Sequence, residues 1–478
     1  MPAAAQQPRQ VLHNHVRAVV ASGEAEPVGR LPATQRLSVA LMLPLRNQSE
    51  LTSLLTRMYD SSAPDYRHFL SVAQFTEQFG PAAEDYQAVV DFAKANGLTV
   101  TATPVNRMLV DVSGSVAQIE NALHVAMTIY QHPTEKRTFY APDREPSLDL
   151  VVPVSHIAGL NDYSIPRPTV TKAPMAPSAR GNVGSGPGGA YLGSDMRAAY
   201  YGGTALTGAG QAVGLFELSG YNLSDVDLTF SSAGQSYGVP INNVLIDGAS
   251  GAPNGDDSEE VLDIVQAISM APGLSQVRVY IAPSNPGVSD VDIFNQMASE
   301  NLCKQLSVSW AWSPEDASAN DAIFQEFAAQ GQNLFAASGD WGAFPNFLLP
   351  FYYPSEDAYV TAVGGTDLTT NGAGGSWQSE TAWGRITGSM PVAAASLPMG
   401  SRCPYGSPAW PILPTGLRPA SATCRTWRRK PIPTTTFASS EAVAAAGAAP
   451  VSQRHGGRDF WRSSINRSSP AASPRWVL

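Results

Sequence analysis

Glu259 and Asp263 stand four residues apart in the segment GDDSEEVLDIVQAISMAPG (255–273). Val261, Leu262, Ile264, Val265 and Ile268 give that segment a wide apolar face, so it reads as a helix. Four residues is about one turn, which sets both carboxylates on one face, where like charges weaken a helix slightly. A solvated acidic first turn, favoured by the helix dipole and capped by Asp256, Asp257 or Ser258, also satisfies this spacing. The histidines bear on the choice. The seven are His13, His15, His68, His124, His132, His156 and His455, so none falls between 164 and 454. A Ser-His-Asp triad is not available in that stretch. A hydrolytic base there has to be a carboxylate, effective when paired, partly buried and used at acidic pH. Asp340 follows an apolar run in NLFAASGDWG (333–342). A carboxyl held protonated there would donate a hydrogen bond to a developing oxyanion. An ordinary turn aspartate among glycines is the alternative.

These acids need a rigid frame, and residues 191 to about 384 provide one. Apolar strand candidates recur at 211–218, 277–283, 305–312, 333–338 and 358–365, with helical patterns at 259–271, 290–301 and 318–330. Continuous apolar strands alternating with helices imply a parallel sheet covered on both faces. Reactive groups in such sheets gather beyond the carboxyl ends of the strands. Residues 34–163 read differently. A strand at 36–45, helices at 47–60, 82–96 and 114–124, and short strands in GLTVTATP, NRMLVDVSG and AMTIYQH suggest an antiparallel sheet with helices on one face.

Between the two units, residues 164–190 contain many Pro, Gly, Ser and Ala, as an exposed, cleavable linker does. Residues 1–33 are polar and Ala-rich and read as a disordered leader without a secretory signal in this frame. No apolar run reaches the length of a membrane span. The net charge of −10 conceals a split: residues 385–478 hold 12 Lys and Arg against 2 Asp and Glu, leaving −20 on the rest. The acidic part suits work at low pH or outside the cell and argues against nucleic-acid binding. Cys303, Cys403 and Cys424 make no metal spacing and no disulfide framework.

Several motifs together resemble the sedolisin family, serine-carboxyl peptidases with a Ser-Glu-Asp triad. EEVLDIVQAISMAPG resembles its Glu-x-x-x-Asp helix, and SVSWAWSPED (307–316) its Ser-x-Ser-Trp strand and loop. FAASGDWG resembles the segment bearing the oxyanion aspartate, and YYPSEDAYVTAVGGT (352–366) the strand after it. SAPDYRHFLSVAQFTEQFGPAAEDY (62–86) and HIAGLND (156–162) resemble the pro-domain of the family. LGSDMRAAYY (192–201), followed by GAGQAVGLFEL, resembles the start of the mature enzyme. The resemblance covers about 34–384. It implies a subtilisin-like parallel sheet with helices on both faces, preceded by an α+β ferredoxin-like pro-domain. It further implies Glu259 as base, Asp263 orienting Glu259, Asp340 stabilising the oxyanion, and maturation within 164–190. Trp310 either lines the substrate cleft or packs at a strand end. The implied partners are a polypeptide substrate and the chain's own pro-domain as an intramolecular inhibitor, with neither nucleic acid nor membrane. The implied location is extracellular, and the implied cofactor is calcium.

The departures cluster after residue 384. The nucleophile of the family lies in Gly-Thr-Ser, which this chain lacks; its one Thr-Ser pair is Thr52-Ser53, and Ser439 and Ser440 lack the glycine-rich context. The calcium site of the family also lies near the carboxyl terminus, and Glu441 and Asp459 are too few acids to rebuild it. Residues 385–478 are an anomalous basic segment expected to be disordered. Their abrupt change in charge and pattern resembles a shift of reading frame, with a natural basic tail as the alternative. The expected function is therefore that of an acid-acting endopeptidase precursor whose chain as written lacks its nucleophile. The alternatives are a non-catalytic, peptide-binding or inhibitor-like protein and, more weakly, a nucleic-acid module in the tail.

Overall fold

Alternation along two sets of strands builds two cores that share a wall. The computed structural model describes residues 9–169, 184–202, 205–255, 257–284, 288–313, 316–339 and 353–382. The expectations placed on Asp340, on most of the linker and on 385–478 lie outside these residues.

The amino-terminal unit contains a four-stranded antiparallel sheet. Its spatial order is Thr99–Ala102, Leu109–Ser115, Arg36–Met42, His156–Ala158. Taken in chain order, the second and third strands lie to one side of the first and the fourth to the other, which is the ferredoxin-like arrangement. Side chains alternate across the sheet. Val39, Leu41, Val110 and Val112 pack on helices Ala83–Ala95 and Val116–Leu123. Ser115 ends its strand and caps the following helix, accepting from Gln118 N at 3.3 Å in a capping box. The opposite face, with Ala40, Met42 and Leu109, packs into a second cluster. That cluster takes in helices Gln48–Met58 and Val72–Gln78, so the helices are not all on one face as the sequence suggested.

Residues 9–33 carry order that their polar composition does not announce. Gln10–Val11 pairs with Ser147–Leu148, and Pro27–Arg30 with Met127–Gln131. Leu12, Ala25 and Leu31 are buried.

The second unit is a six-stranded parallel sheet. Its order is Ile241–Leu245, Gln276–Ile281, Ala212–Glu217, Gln305–Val308, Asn333–Ala337, Val360–Val363. Val213, Leu215, Val277 and Val279 face helices Gly193–Tyr201, Leu223–Ser232 and Ser258–Met270. Phe216, Tyr280, Leu306 and Leu334 face helices Ser289–Glu300 and Asp321–Gln330. Helices thus cover both faces, as expected. The first strand in the chain, Ala212–Glu217, lies third; the chain goes next to the edge strand Ile241–Leu245, fills the gap with Gln276–Ile281, and then builds outward on the other side. The strand order reverses between Ala212–Glu217 and Gln305–Val308, and beyond the carboxyl ends of such a pair is where sites form in open α/β sheets.

Helices Ser289–Glu300 and Asp321–Gln330 also receive the amino-terminal sheet, so one apolar cluster spans both units. Gly159 shows how closely they meet. Its φ is +91°, and a Cβ there would lie 2.3 Å from Val288 Cγ2 and 2.6 Å from Ser38 O. Only glycine fits this backbone and this gap.

Candidate active site

Period-two alternation turns two polar side chains at the carboxyl ends of neighbouring strands toward helix Ser258–Met270. Glu217 ends its strand on the side of Val213 and Leu215, the face covered by helix Ser258–Met270. Ser309 follows Val308 and, like Ser307, lies opposite in parity to Leu306 and Val308. It meets the same helix: its hydroxyl donates to Asp263 Oδ2 at 2.8 Å, with Oδ1 at 3.1 Å.

Burial here is deep. Glu217 is 0% exposed, Glu260 1%, Asp263 2% and Glu259 5%. Four carboxyl groups in one dry site cannot all be charged, because desolvation and mutual repulsion both favour the neutral acid. Burial pushes Asp263 up to about 7, opposed by the Ser309 hydroxyl. Glu217 is held well above the usual carboxylate range, first by burial and then by the like charges of Asp263, Glu260 and Glu259. The Trp310 indole opposes this by donating from Nε1 to Glu217 Oε2 at 3.0 Å.

Glu259 and Asp263 are thus buried in one acidic cluster with Glu217 and Glu260, while Asp340 lies outside the described residues. Trp310 is buried, and its indole is a hydrogen-bond donor to the acid cluster. Sequence reasoning passed over Glu217 and Ser309. A signal for Glu217 existed, since it is the one acid in the apolar run QAVGLFEL. Glu260, next in the chain to Glu259, is as buried as Asp263 and its charge bears on Glu217.

The predicted strand 305–312 divides at Ser309. Gln305–Val308 stays in the sheet, and Trp310–Ala311 pairs antiparallel with Arg167–Pro168. Thr169 donates to Ser309 O twice, from its backbone N at 2.9 Å and from Oγ1 at 3.0 Å. The chain leaving the amino-terminal unit thus lies as an extra strand beside the carboxylates. Among the described residues no group of three or more His, Cys, Asp or Glu is arranged to hold a metal ion. These residues do not fit a calcium site. Among them, no helix is long and apolar enough to cross a membrane.

Residues 24–163 match the family described as "Pro-kumamolisin, activation domain". Kumamolisin from Bacillus sp. (strain MN-32) is 28% identical over 394 residues, covering 78% of this chain and 69% of that protein. Sedolisin from Pseudomonas sp. (strain 101) is 28% identical over 396 residues, covering 77% of this chain and 65% of that protein. The chain thus spans about two thirds of the length of these relatives. A solved Pseudomonas sedolisin, a serine-carboxyl proteinase complexed with pseudo-iodotyrostatin, is 27% identical and covers 42% of this chain and 61% of its own. It superposes with a TM-score of only 0.37. The ordered motifs, the activation domain and the long sequence relatives agree: this chain carries a pro-kumamolisin activation domain and is similar along most of its length to kumamolisin and sedolisin.

Proposed function

We propose that the chain is the precursor of an acid-acting endopeptidase in which Glu259 is the general base and Asp263 orients it. Asp340 serves the oxyanion. The observation that carries this reading is the dry carboxylate cluster at the switch point of the sheet, with Ser309 on Asp263 and Trp310 on Glu217. The cluster shares protons among its carboxyl groups, and one member acts as base when it is ionised while its neighbours hold protons. Glu217 exchanges protons with the Glu259–Asp263 pair, and Trp310 fixes the Glu217 carboxyl.

The extended stretch Arg167–Thr169 supports a second part of the reading. An antiparallel strand added beside the acids is how a polypeptide substrate would lie. The amino-terminal unit thereby occupies the substrate edge and acts as an intramolecular inhibitor until the segment after Thr169 is cut.

The nucleophile is the missing part. The sequence contains no Gly-Thr-Ser, and the carboxylates cannot themselves form an acyl-enzyme. We infer that this polypeptide does not turn over substrate and that the basic segment after 384 comes from a shifted frame. The test is to incubate the purified full chain with denatured protein at about pH 4, near the ordinary carboxylate range, and count new amino termini. The expected result is no more cleavage than with Glu259→Gln. Robust turnover that Glu259→Gln abolishes would overturn the inactivity.

A further inference from the structure

Two histidines are stacked in the interior of the amino-terminal unit, outside the candidate active site. His15 and His156 have ring centroids 4.5 Å apart and planes 23° apart. His15 is 0% exposed and His156 6%. They come from distant parts of the chain. His15 lies on the amino-terminal arm, whose backbone donates to Glu145 at 2.9 Å. His156 opens the strand His156–Ala158, which leads toward the segment lying beside the carboxylates. His15 Nε2 accepts from Ile157 N at 3.0 Å, so this ring nitrogen is unprotonated. His156 Nδ1 has no hydrogen-bond partner.

The arm is also a contact with the α/β unit. Asn14 Nδ2 donates to Asp316 Oδ2 at 3.2 Å, and an Arg17 Nη donates to Ser313 O at 3.1 Å. Both acceptors belong to the loop following Trp310–Ala311. Releasing the arm would therefore loosen the pro-domain beside the site it covers.

We propose that the stacked His15–His156 pair is an acid-operated release for the amino-terminal arm: protonation of the rings puts two like charges face to face in a dry site and expels the arm from its seat on the loop carrying Ser313 and Asp316. Protonation also removes the acceptor that Ile157 N uses. The surrounding charges do not compensate. Burial holds His156 down at about 3, assisted by His15 and Arg17 and opposed by Asp316. Burial also lowers His15, opposed by Glu145, by a backbone hydrogen bond with His13 and by Asp316, with the charge of His13 adding slightly to the lowering. The nearest of these acids, Glu145, stands 3.7 Å from His15 Nδ1 and is part-exposed. The sign follows from the direction. A base with a lowered proton affinity in the folded state stabilises that state while neutral, above its ordinary value of about 6.5, and loses the stabilisation as pH falls below it.

The purpose assigned to this release rests on reading the amino-terminal unit as an inhibitor. The release itself does not require peptidase activity, so a test by hydrogen exchange separates the two. Exchange in the full chain would be followed at about pH 7 and about pH 4 and corrected for intrinsic rates, with peptides from 10–21 and from Ala212–Glu217 as the internal reference. The expected result is at least about tenfold faster exchange in 10–21 at the lower pH, since one unit of pH per ring is a factor of ten, with the reference unchanged. His156→Phe keeps a stacked ring without a proton site and should retain protection at the lower pH. His15→Gln, which still offers an acceptor to Ile157 N, should do the same. Unchanged protection of the wild-type arm, or simultaneous loss in arm and reference, overturns the proposal. So does a loss in both variants equal to that of the wild type.

Discussion

Trp310 Nε1 donates to Glu217 Oε2 at 3.0 Å, joining the strand beside the pro-domain tail to the acid at the end of the strand that begins the sheet. Both side chains are buried, so this indole is the donor that keeps Glu217 from its full desolvation penalty. Trp310→Phe should keep most of the packing and lose the donor. Removing a partner from a buried polar group costs about 1–3 kcal/mol. Urea unfolding at about pH 7, where Glu217 has its greatest tendency to ionise, should show that loss, and at about pH 4 it should shrink. An equal loss at both values would mean that only packing was removed.

Ser309 does for Asp263 what Trp310 does for Glu217. Its hydroxyl holds the carboxylate at 2.8 Å and lowers its proton affinity against burial. Ser309→Ala should raise the proton affinity of Asp263 further and destabilise the chain by about 1–3 kcal/mol at neutral pH. Ser309→Thr retains the hydroxyl and should recover most of the difference. Failure of threonine to rescue, with alanine and threonine equally destabilised, would assign Ser309 to packing.

A second group of acids crosses the interface between the units. Asp111 of strand Leu109–Ser115 faces Asp292 of helix Ser289–Glu300 and Asp247, which also accepts from Ser289 Oγ at 3.3 Å. Burial and the charge of Asp247 push Asp111 up to about 7, with Asp292 opposing. Burial and the charges of Asp111 and Asp247 hold Asp292 well above its usual range. For an acid with a raised folded value the stabilisation is present at low pH and is lost as pH rises through that value. The urea midpoint of the full chain should therefore fall between about pH 5 and about pH 8, and Asp111→Asn should flatten the fall. A midpoint that rises over this range would contradict the burial of these acids. The direction is opposite to that of the histidine pair, which acts at lower pH and on the arm.

Periodicity carried most of the fold because apolar alternation is itself the packing instruction. Ala212–Glu217, Gln276–Ile281 and the helix bearing Glu259 lie within a residue or two of their expected bounds. The strand Ile241–Leu245 was illegible because it is an edge strand, with Asn242 and Asn243 exposed where a buried strand would be apolar. The arm containing His15 was illegible for a different reason: its order comes from single contacts such as His15 on Ile157 N, which have no period. At the site, Glu259 and Asp263 were visible from one-turn spacing. Glu217 stood out only as the one acid in its apolar run, and that it and Ser309 join these acids depends on which strands become neighbours, which is decided by the strand order of the sheet.

The central claim is that Glu217 and Asp263 belong to one buried carboxylate unit that retains protons near neutrality. Infrared difference spectroscopy reads this directly, through the carbonyl stretch of protonated carboxyl groups. At about pH 6, above the ordinary carboxylate range, the full chain should show that band, and Glu217→Gln and Asp263→Asn should each remove part of it. A spectrum in which neither substitution changes the band would show both groups ionised, and would contradict the account.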